Sequence, residues 1–251
     1  MTKIALVTGA SRGLGRNTAL SIARHGGDLV LTYRSRGDDA QAVVAEIAAM
    51  GRKAVAFQLD TGDVASFAAF ADQLRTTLRE TWQRETFDHL VNNAGHGIYG
   101  TIDQTTEAQF DELVNVNFKG VYFLTQTLLP LIADGGRIVN VSSALTRICF
   151  PGYAAYACVK GAVDVLTRYM AKELGARGIT VNTVAPGAIE TDFSGGGARD
   201  NAHINKLLAD VTALGRVGLP DDIGPMIASL LSEDNRWVNA QWIEVSGGQS
   251  I

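Results

Sequence analysis

The sequence predicts an α/β fold: one doubly wound parallel sheet of about seven strands, covered by helices on both faces. Three observations predict it. Short β-branched runs alternate with helix-length segments along the chain. The strand-like runs are apolar throughout, as strands covered on both faces are. No linker, repeat or low-complexity stretch divides the 251 residues, so a single domain over 1–251 is expected.

The elements follow in order. "KIALVTG" reads as the first buried strand and residues 14–25 as the first helix. "DLVLTYR" is the second strand, and "DDAQAVVAEIAAMG" a helix stopped at Gly51. "KAVAFQLD" is the third strand, followed by an amphipathic helix over 64–84. "FDHLVNNAG" is the fourth, with a helix over 107–133, and "GRIVNVSS" the fifth, with a helix over 153–176. "ITVNTVAPG" is the sixth; helices over 201–213 and 220–232 then lead to a last strand in "WIEVSGG". The glycine cluster "SGGGARDN", residues 194–201, falls on the side of the sheet where ligands bind, so a mobile lid around 190–213 is expected there.

Composition excludes several classes. Hydrophobic residues make up 46%, charged residues 19%, and the net charge is -4 with no Lys/Arg block, which argues against a nucleic-acid partner. No apolar run reaches about 18 residues, so no membrane span is expected. The start "MTKIALVTGA" enters a strand without a signal-like region. Cys149 and Cys158 fit no disulfide scaffold or zinc spacing and read as small packing residues. A reduced cytoplasmic setting without a metal is expected.

"TGASRGLG", residues 8–15, closes the first strand and opens the first helix. Gly9, Gly13 and Gly15 let the backbone turn tightly, and the helix N-terminus then offers free N–H groups to a pyrophosphate. Ser11, Arg12 and Leu14 complete this loop. The second strand ends in Tyr33, Arg34 and Ser35, where an NAD site would carry an acid for the ribose 2′-hydroxyl. Arg12 and Arg34 suit a 2′-phosphate instead, so the inferred cofactor is NADP(H). The alternative is a solvated Arg34, with Asp38 or Asp39 reaching the ribose.

Ser143 ends the fifth strand; Tyr156 and Lys160 follow at i and i+4 of the next helix, on one face. A nearby ammonium, together with the positive nicotinamide of an oxidised cofactor, is expected to lower the phenol's pKa, making it an acid–base group for a carbonyl held by Ser143. Tyr153 is a rival two turns from Lys160. Asn117, a mediocre helix former inside a helix, is expected to mark a local distortion.

Taken together, "TGASRGLG", "NNAG" at 92–95, Asn117, Ser143, the Tyr156/Lys160 pair and "PG" at 186–187 resemble the short-chain dehydrogenase/reductase family, over nearly the whole chain. The resemblance implies a Rossmann-type fold and a tetrad of Asn117, Ser143, Tyr156 and Lys160. It implies that Asp60, followed by Thr61, contacts adenine, and that the Asn92, Ala94 and Gly95 turn supports the cofactor ribose. It implies that Lys160 also holds the nicotinamide ribose and that Pro186, Gly187, Ile189 and Thr191 line the nicotinamide pocket. A homotetramer, or a homodimer, is implied as well. Ala240 and Ser246 depart from the family's frequent glycine and aspartate.

His96, Leu145, Cys149, Phe150, Tyr153 and Phe193 are the candidate substrate residues, in a partly apolar pocket. The nearest likeness is to 3-oxoacyl-carrier-protein reductases, so the expected activity is NADPH-dependent reduction of a ketone, a 3-oxoacyl thioester among the candidates. The rivals are a sugar or polyol dehydrogenase and a non-catalytic NADP(H)-binding sensor.

Overall fold

A computed structural model describes residues 2–251. Seven parallel strands form one sheet in the order β3-β2-β1-β4-β5-β6-β7. They are β1 (Ile4–Val7), β2 (Asp28–Tyr33), β3 (Ala54–Gln58), β4 (Phe87–Asn92), β5 (Ile132–Val141), β6 (Thr180–Pro186) and β7 (Trp242–Val245). The central strands are buried on both faces, which is why their sequences are apolar without alternation. The strand order reverses between β1 and β4, so the loops after these two strands open side by side.

One face of the sheet packs Ala5, Val7, Val91 and Val139 against α1 (Gly13–Arg24), α2 (Gly37–Ala49) and α9 (Pro220–Leu230). The other packs Ile4, Leu6, Leu90 and Ile138 against α3 (Phe67–Trp82), α5 (Gly120–Leu128) and α6 (Ala154–Leu174). Phe67 and Phe87 are the largest side chains wholly out of water on that second face. Truncating either to alanine costs about 3–5 kcal/mol in comparable cores.

The third helix is shorter than its pattern. Residues Val64–Ser66 form a 3₁₀ turn capped by the Asp63 carboxylate, and α3 ends where Gln83 turns left-handed. The segment 107–133 is not one helix. It divides into α4 (Glu107–Val114), a π-turn over Asn115–Lys119, α5, and a 3₁₀ turn over Leu129–Leu131. Pro130 sits in that last turn and cannot extend the helical ladder. Ile132 is already extended and pairs with Phe87, so β5 begins earlier than its apolar run suggests. Residues 193–210 hold a 3₁₀ turn, α7 (Gly197–Asp200) and α8 (Ala202–Asp210), the last capped by the Asn201 side chain.

Candidate active site

The glycine loop crosses the carboxyl ends of the strands at the reversal point. Gly9 takes φ of 65°, and a Cβ on Gly15 would strike the Gly9 carbonyl, so only glycine lets α1 start so close to β1. Arg12 stands at the N-cap without a side-chain cap, and the first turn holds no acid. The free N–H groups of α1 therefore face an opening suited to an anion. Ser11 and Leu14 flank them. The Thr8 hydroxyl accepts from the Asn93 and Ala94 N–H groups, both at 2.9 Å, and Asn93 Nδ2 donates to the Thr8 carbonyl at 2.8 Å. These bonds fasten the 92–95 turn to the glycine loop. The Asn92 side chain points the other way: it donates to Thr125 Oγ1 at 3.0 Å and Asn140 Oδ1 at 2.8 Å inside the protein. The Asn93 side chain is the one that reaches the glycine loop.

At the end of β2, Tyr33 is half-buried while Arg34 and Ser35 are exposed. Asp39, a possible ribose partner, is paired with Arg36 at 3.4 Å. Asp60 accepts from Gly62 N at 2.8 Å, and Thr61 is buried beside it. Arg12 is not free: its guanidinium lies 2.8 Å from Asp192 Oδ2. Arg34, in contrast, is exposed and makes no ion pair among the described residues.

The reacting groups lie deep. Asn117, Ser143, Tyr156 and Lys160 are 0%, 8%, 5% and 3% exposed. Asn117 sits in the π-turn; its Nδ2 donates to the carbonyls of His96 and Leu113, each at 3.1 Å, and its Oδ1 accepts from His96 N at 3.3 Å. The extra residue of the π-turn aims Asn117 back at the 92–96 turn. A Cβ on Gly95 would come 2.6 Å from Asn117 Oδ1 and 3.4 Å from Lys160 Nζ, so Gly95, Asn117 and Lys160 converge. Lys160 Nζ donates to the Val141 carbonyl at 2.9 Å and lies 5.8 Å from the Tyr156 ring centre.

Burial dominates the acidities. It pushes the Tyr156 phenol above its ordinary value, against the Ser143 hydroxyl, which draws it down. The same burial lowers Lys160 to about 8, against the Asp164 carboxylate. Burial outweighs any lowering of Tyr156 by Lys160, whose ammonium is itself desolvated and donates one of its hydrogen bonds to the Val141 carbonyl.

Pro186 closes β6. Gly187 N donates to the Val245 carbonyl at 3.1 Å, Ile189 bridges to Gly218, and Thr191 stands over Gly13. Leu145 and Tyr153 pack with Tyr156 and Leu113. The Phe193 ring lies 5.4 Å from the Tyr156 ring, and Tyr99 meets Tyr153 edge-on at 5.6 Å. His96 is held 3.1 Å from Glu112 and is pushed by burial below its ordinary pKa. Cys149 and Phe150 lie exposed on the loop before α6. Cys158 is exposed as well, so neither cysteine is the packing residue expected. Two positions from Tyr156, Cys158 projects from the opposite side of α6. Tyr99 belongs to the site without a motif that marks it, while Thr8, Asn93 and Asp192 fall inside the sequence motifs and the expected lid.

Among the described residues, no three His, Cys, Asp or Glu side chains gather as a metal site would, and no helix is long and apolar enough to cross a membrane.

The family profile described as "Enoyl-(Acyl carrier protein) reductase" matches residues 9–250. The "Hydroxynaphthalene reductase-like protein Arp2" of Metarhizium brunneum (strain ARSEF 3297) is 38% identical, over 98% of this chain and 94% of its own. The crystal structure of the angucycline C-6 ketoreductase LanV with bound NADP superposes with a TM-score of 0.93 at 35% identity, covering 99% of this chain and 95% of that one. LugOII, described as a promiscuous reductase that catalyses keto-reduction at C1 during lugdunomycin biosynthesis, gives 0.93 at 37% identity, over 99% and 98%.

Proposed function

The chain belongs to the short-chain dehydrogenase/reductase family, and on that premise we propose that it is an NADPH-dependent ketoreductase that converts a planar, ring-bearing ketone to its secondary alcohol. The observation that carries this reading is the pairing of two buried hydroxyls, Ser143 and Tyr156, with the aromatic rings of Phe193, Tyr153 and Tyr99. Rings stack on rings, and the hydroxyls meet the carbonyl oxygen. The relatives, a hydroxynaphthalene reductase-like protein and an angucycline ketoreductase, support the same substrate class.

The trough fits the dinucleotide. The uncapped N-terminus of α1 would hold the pyrophosphate, and exposed Arg34 the 2′-phosphate. Asp60 and Thr61 would border adenine. Ile189 and Thr191 would border the nicotinamide. When bound, NADPH supplies the hydride that the carbonyl carbon takes up.

The chain does the rest. Ser143 and Tyr156 orient and polarise the carbonyl oxygen. In the direction of reduction Tyr156 donates the proton to the carbonyl oxygen; in the reverse direction its phenolate would take it back. The aromatic walls and the reductase relatives favour a reductase over a polyol dehydrogenase. Lys160 stabilises the phenolate left after proton transfer, and Asn117 fixes the turn beside Lys160. Phe193 shields the hydroxyls from water.

A second reading, reduction of a 3-oxoacyl thioester, is favoured by the acyl-carrier description of the family profile. Such a chain is slim and aliphatic and leaves the aromatic walls unused. Cofactor consumption with a bicyclic aryl ketone and with an acetoacetyl thioester separates the two. Turnover of the aryl ketone with NADPH supports the first; turnover of the thioester alone replaces it with the second. We also assign the chain to the cytoplasm, as a homotetramer or homodimer, with exposed Tyr122 on α5 and Val165 and Tyr169 on α6 as a face that a second copy would cover.

A further inference from the structure

The segment after β6 joins two parts of the site that the chemistry treats separately. Thr191 stands over Gly13 of the glycine loop. Asp192 follows, with Oδ2 2.8 Å from Arg12 and Oδ1 2.5 Å from Arg199. Phe193 comes next, its N–H donating to Thr191 Oγ1 at 3.2 Å and its ring on Tyr156. A Cβ on Gly97 would lie 2.5 Å from the Phe193 ring, so the ring fills the space between the 92–97 turn and the catalytic phenol. Tyr156 is 5% exposed, and the Phe193 ring is one of the groups that cover it. Phe193 adjoins Asp192 in the chain, and Asp192 is tied both to Arg12 of the glycine loop and to Arg199 of its own segment.

We propose that Asp192 is a positioning residue that competes with the cofactor's 2′-phosphate for Arg12, and so couples the choice of NADPH to the opening of the substrate pocket. In the resting chain Arg12 holds Asp192, and Phe193 covers Tyr156. When Arg12 turns to a phosphate, Asp192 keeps only Arg199, which also pairs with Asp200 at 2.7 Å. The segment is then free to lift Phe193.

Two features suit this role. The Arg12 and Asp192 side chains are 51% and 36% exposed, so their pairing is weak and a phosphate of higher charge displaces the carboxylate. Directly after Phe193, Ser194, Gly195 and Gly196 take φ of 48°, 77° and 80°, a left-handed run that includes a non-glycine residue. Such a run is a ready hinge, with Ser194 storing strain that movement relieves. NADH has no 2′-phosphate and leaves the Arg12–Asp192 contact in place.

The inference rests on the NADPH reading, and the experiment separates the two. The intact protein is titrated with NADPH and with NADH by nicotinamide fluorescence, and trypsin cleavage after Arg199 is followed with and without each. In the unsubstituted chain, NADPH is expected to speed cleavage and NADH to leave it unchanged. Asp192→Asn should tighten NADPH by roughly two- to fivefold, leave NADH alone, and cleave at the fast rate without cofactor. Asp192→Glu should restore the slow rate. Weaker binding of both cofactors in Asp192→Asn would overturn the proposal and make Asp192 a clamp over the bound dinucleotide. Unchanged binding and cleavage would overturn it too. Tighter binding of NADH than NADPH by the unsubstituted chain would defeat the cofactor reading itself, whatever the variant does.

Discussion

Arg34 is the residue on which cofactor choice turns. It is exposed at the end of β2, while Arg12 is engaged by Asp192. Arg34→Ala should weaken NADPH by about tenfold or more and NADH hardly at all, since a charge-assisted contact to phosphate contributes about 1.5–3 kcal/mol. Equal loss for both in a binding titration would remove Arg34 from the 2′-phosphate. Ala240 offers a test of backbone strain. It takes φ of 59°, a left-handed conformation that a Cβ disfavours. Ala240→Gly should gain about 0.5–1 kcal/mol in urea denaturation, the relief offset in part by glycine's unfolded-state freedom. No gain would mean that the neighbouring contacts of the Cβ matter more than φ. At this scale the sequence carried the identity of Ser143, Tyr156 and Lys160 through their spacing, but not their acidity. Burial reverses the expected shift of Tyr156, and burial belongs to the tertiary structure. Asp192 was not legible for a similar reason: its partner Arg12 is 180 positions away.

Among the elements, the break at 115–119 does most to place the site. Asn117, a poor helix former, marked it, although a single asparagine says nothing of a π-turn. Asn117→Ala leaves the carbonyls of His96 and Leu113 without their donor. The variant should lose about 1–3 kcal/mol of stability. Turnover should fall roughly a hundredfold, because the turn beside Lys160 loses its fixing point. Denaturation and steady-state rates check both; an unaffected rate would reduce Asn117 to a structural bond. The early start of β5 and the end of α5 at Pro130 were hidden because apolar residues 128–132 suit a helix or a buried strand equally. The division of the lid segment into α7 and α8 depends on the Asn201 cap, a signal visible in the sequence.

Across the whole molecule, alternation of strands and helices was enough to predict a doubly wound sheet; the strand order was not legible, because pairing is a long-range choice. That order brings His89 of β4 beside Arg137 of β5, in register at the end of the sheet away from the site. His89 is buried and lowered from its ordinary 6.5 to about 4, chiefly by desolvation, with Asp88 opposing and Lys3 and Arg137 adding to it, and Glu233 opposing. The unfolded chain takes up a proton there below about pH 6.5 and the folded chain does not until about pH 4. Stability should therefore fall as pH drops through this window, by about 3 kcal/mol in total, and stay constant from this source above it. Urea denaturation across pH 4–7 reads the slope, and His89→Leu should flatten it. An unchanged slope in the variant would assign the acid sensitivity to the carboxylates instead.

The central claim is that this chain passes hydride from NADPH to a ring-bearing ketone while Tyr156 supplies the proton. Its most direct test is NADPH carrying deuterium at both hydrogen positions of the nicotinamide C4, incubated with a bicyclic aryl ketone, the product being examined by mass spectrometry. The account predicts one deuterium on the new carbinol carbon with the native chain. It predicts none with Tyr156→Phe, although that variant still binds NADPH. Deuterium transfer at the native rate by Tyr156→Phe, or label retained on the cofactor by the native chain while it binds both ligands, would contradict it.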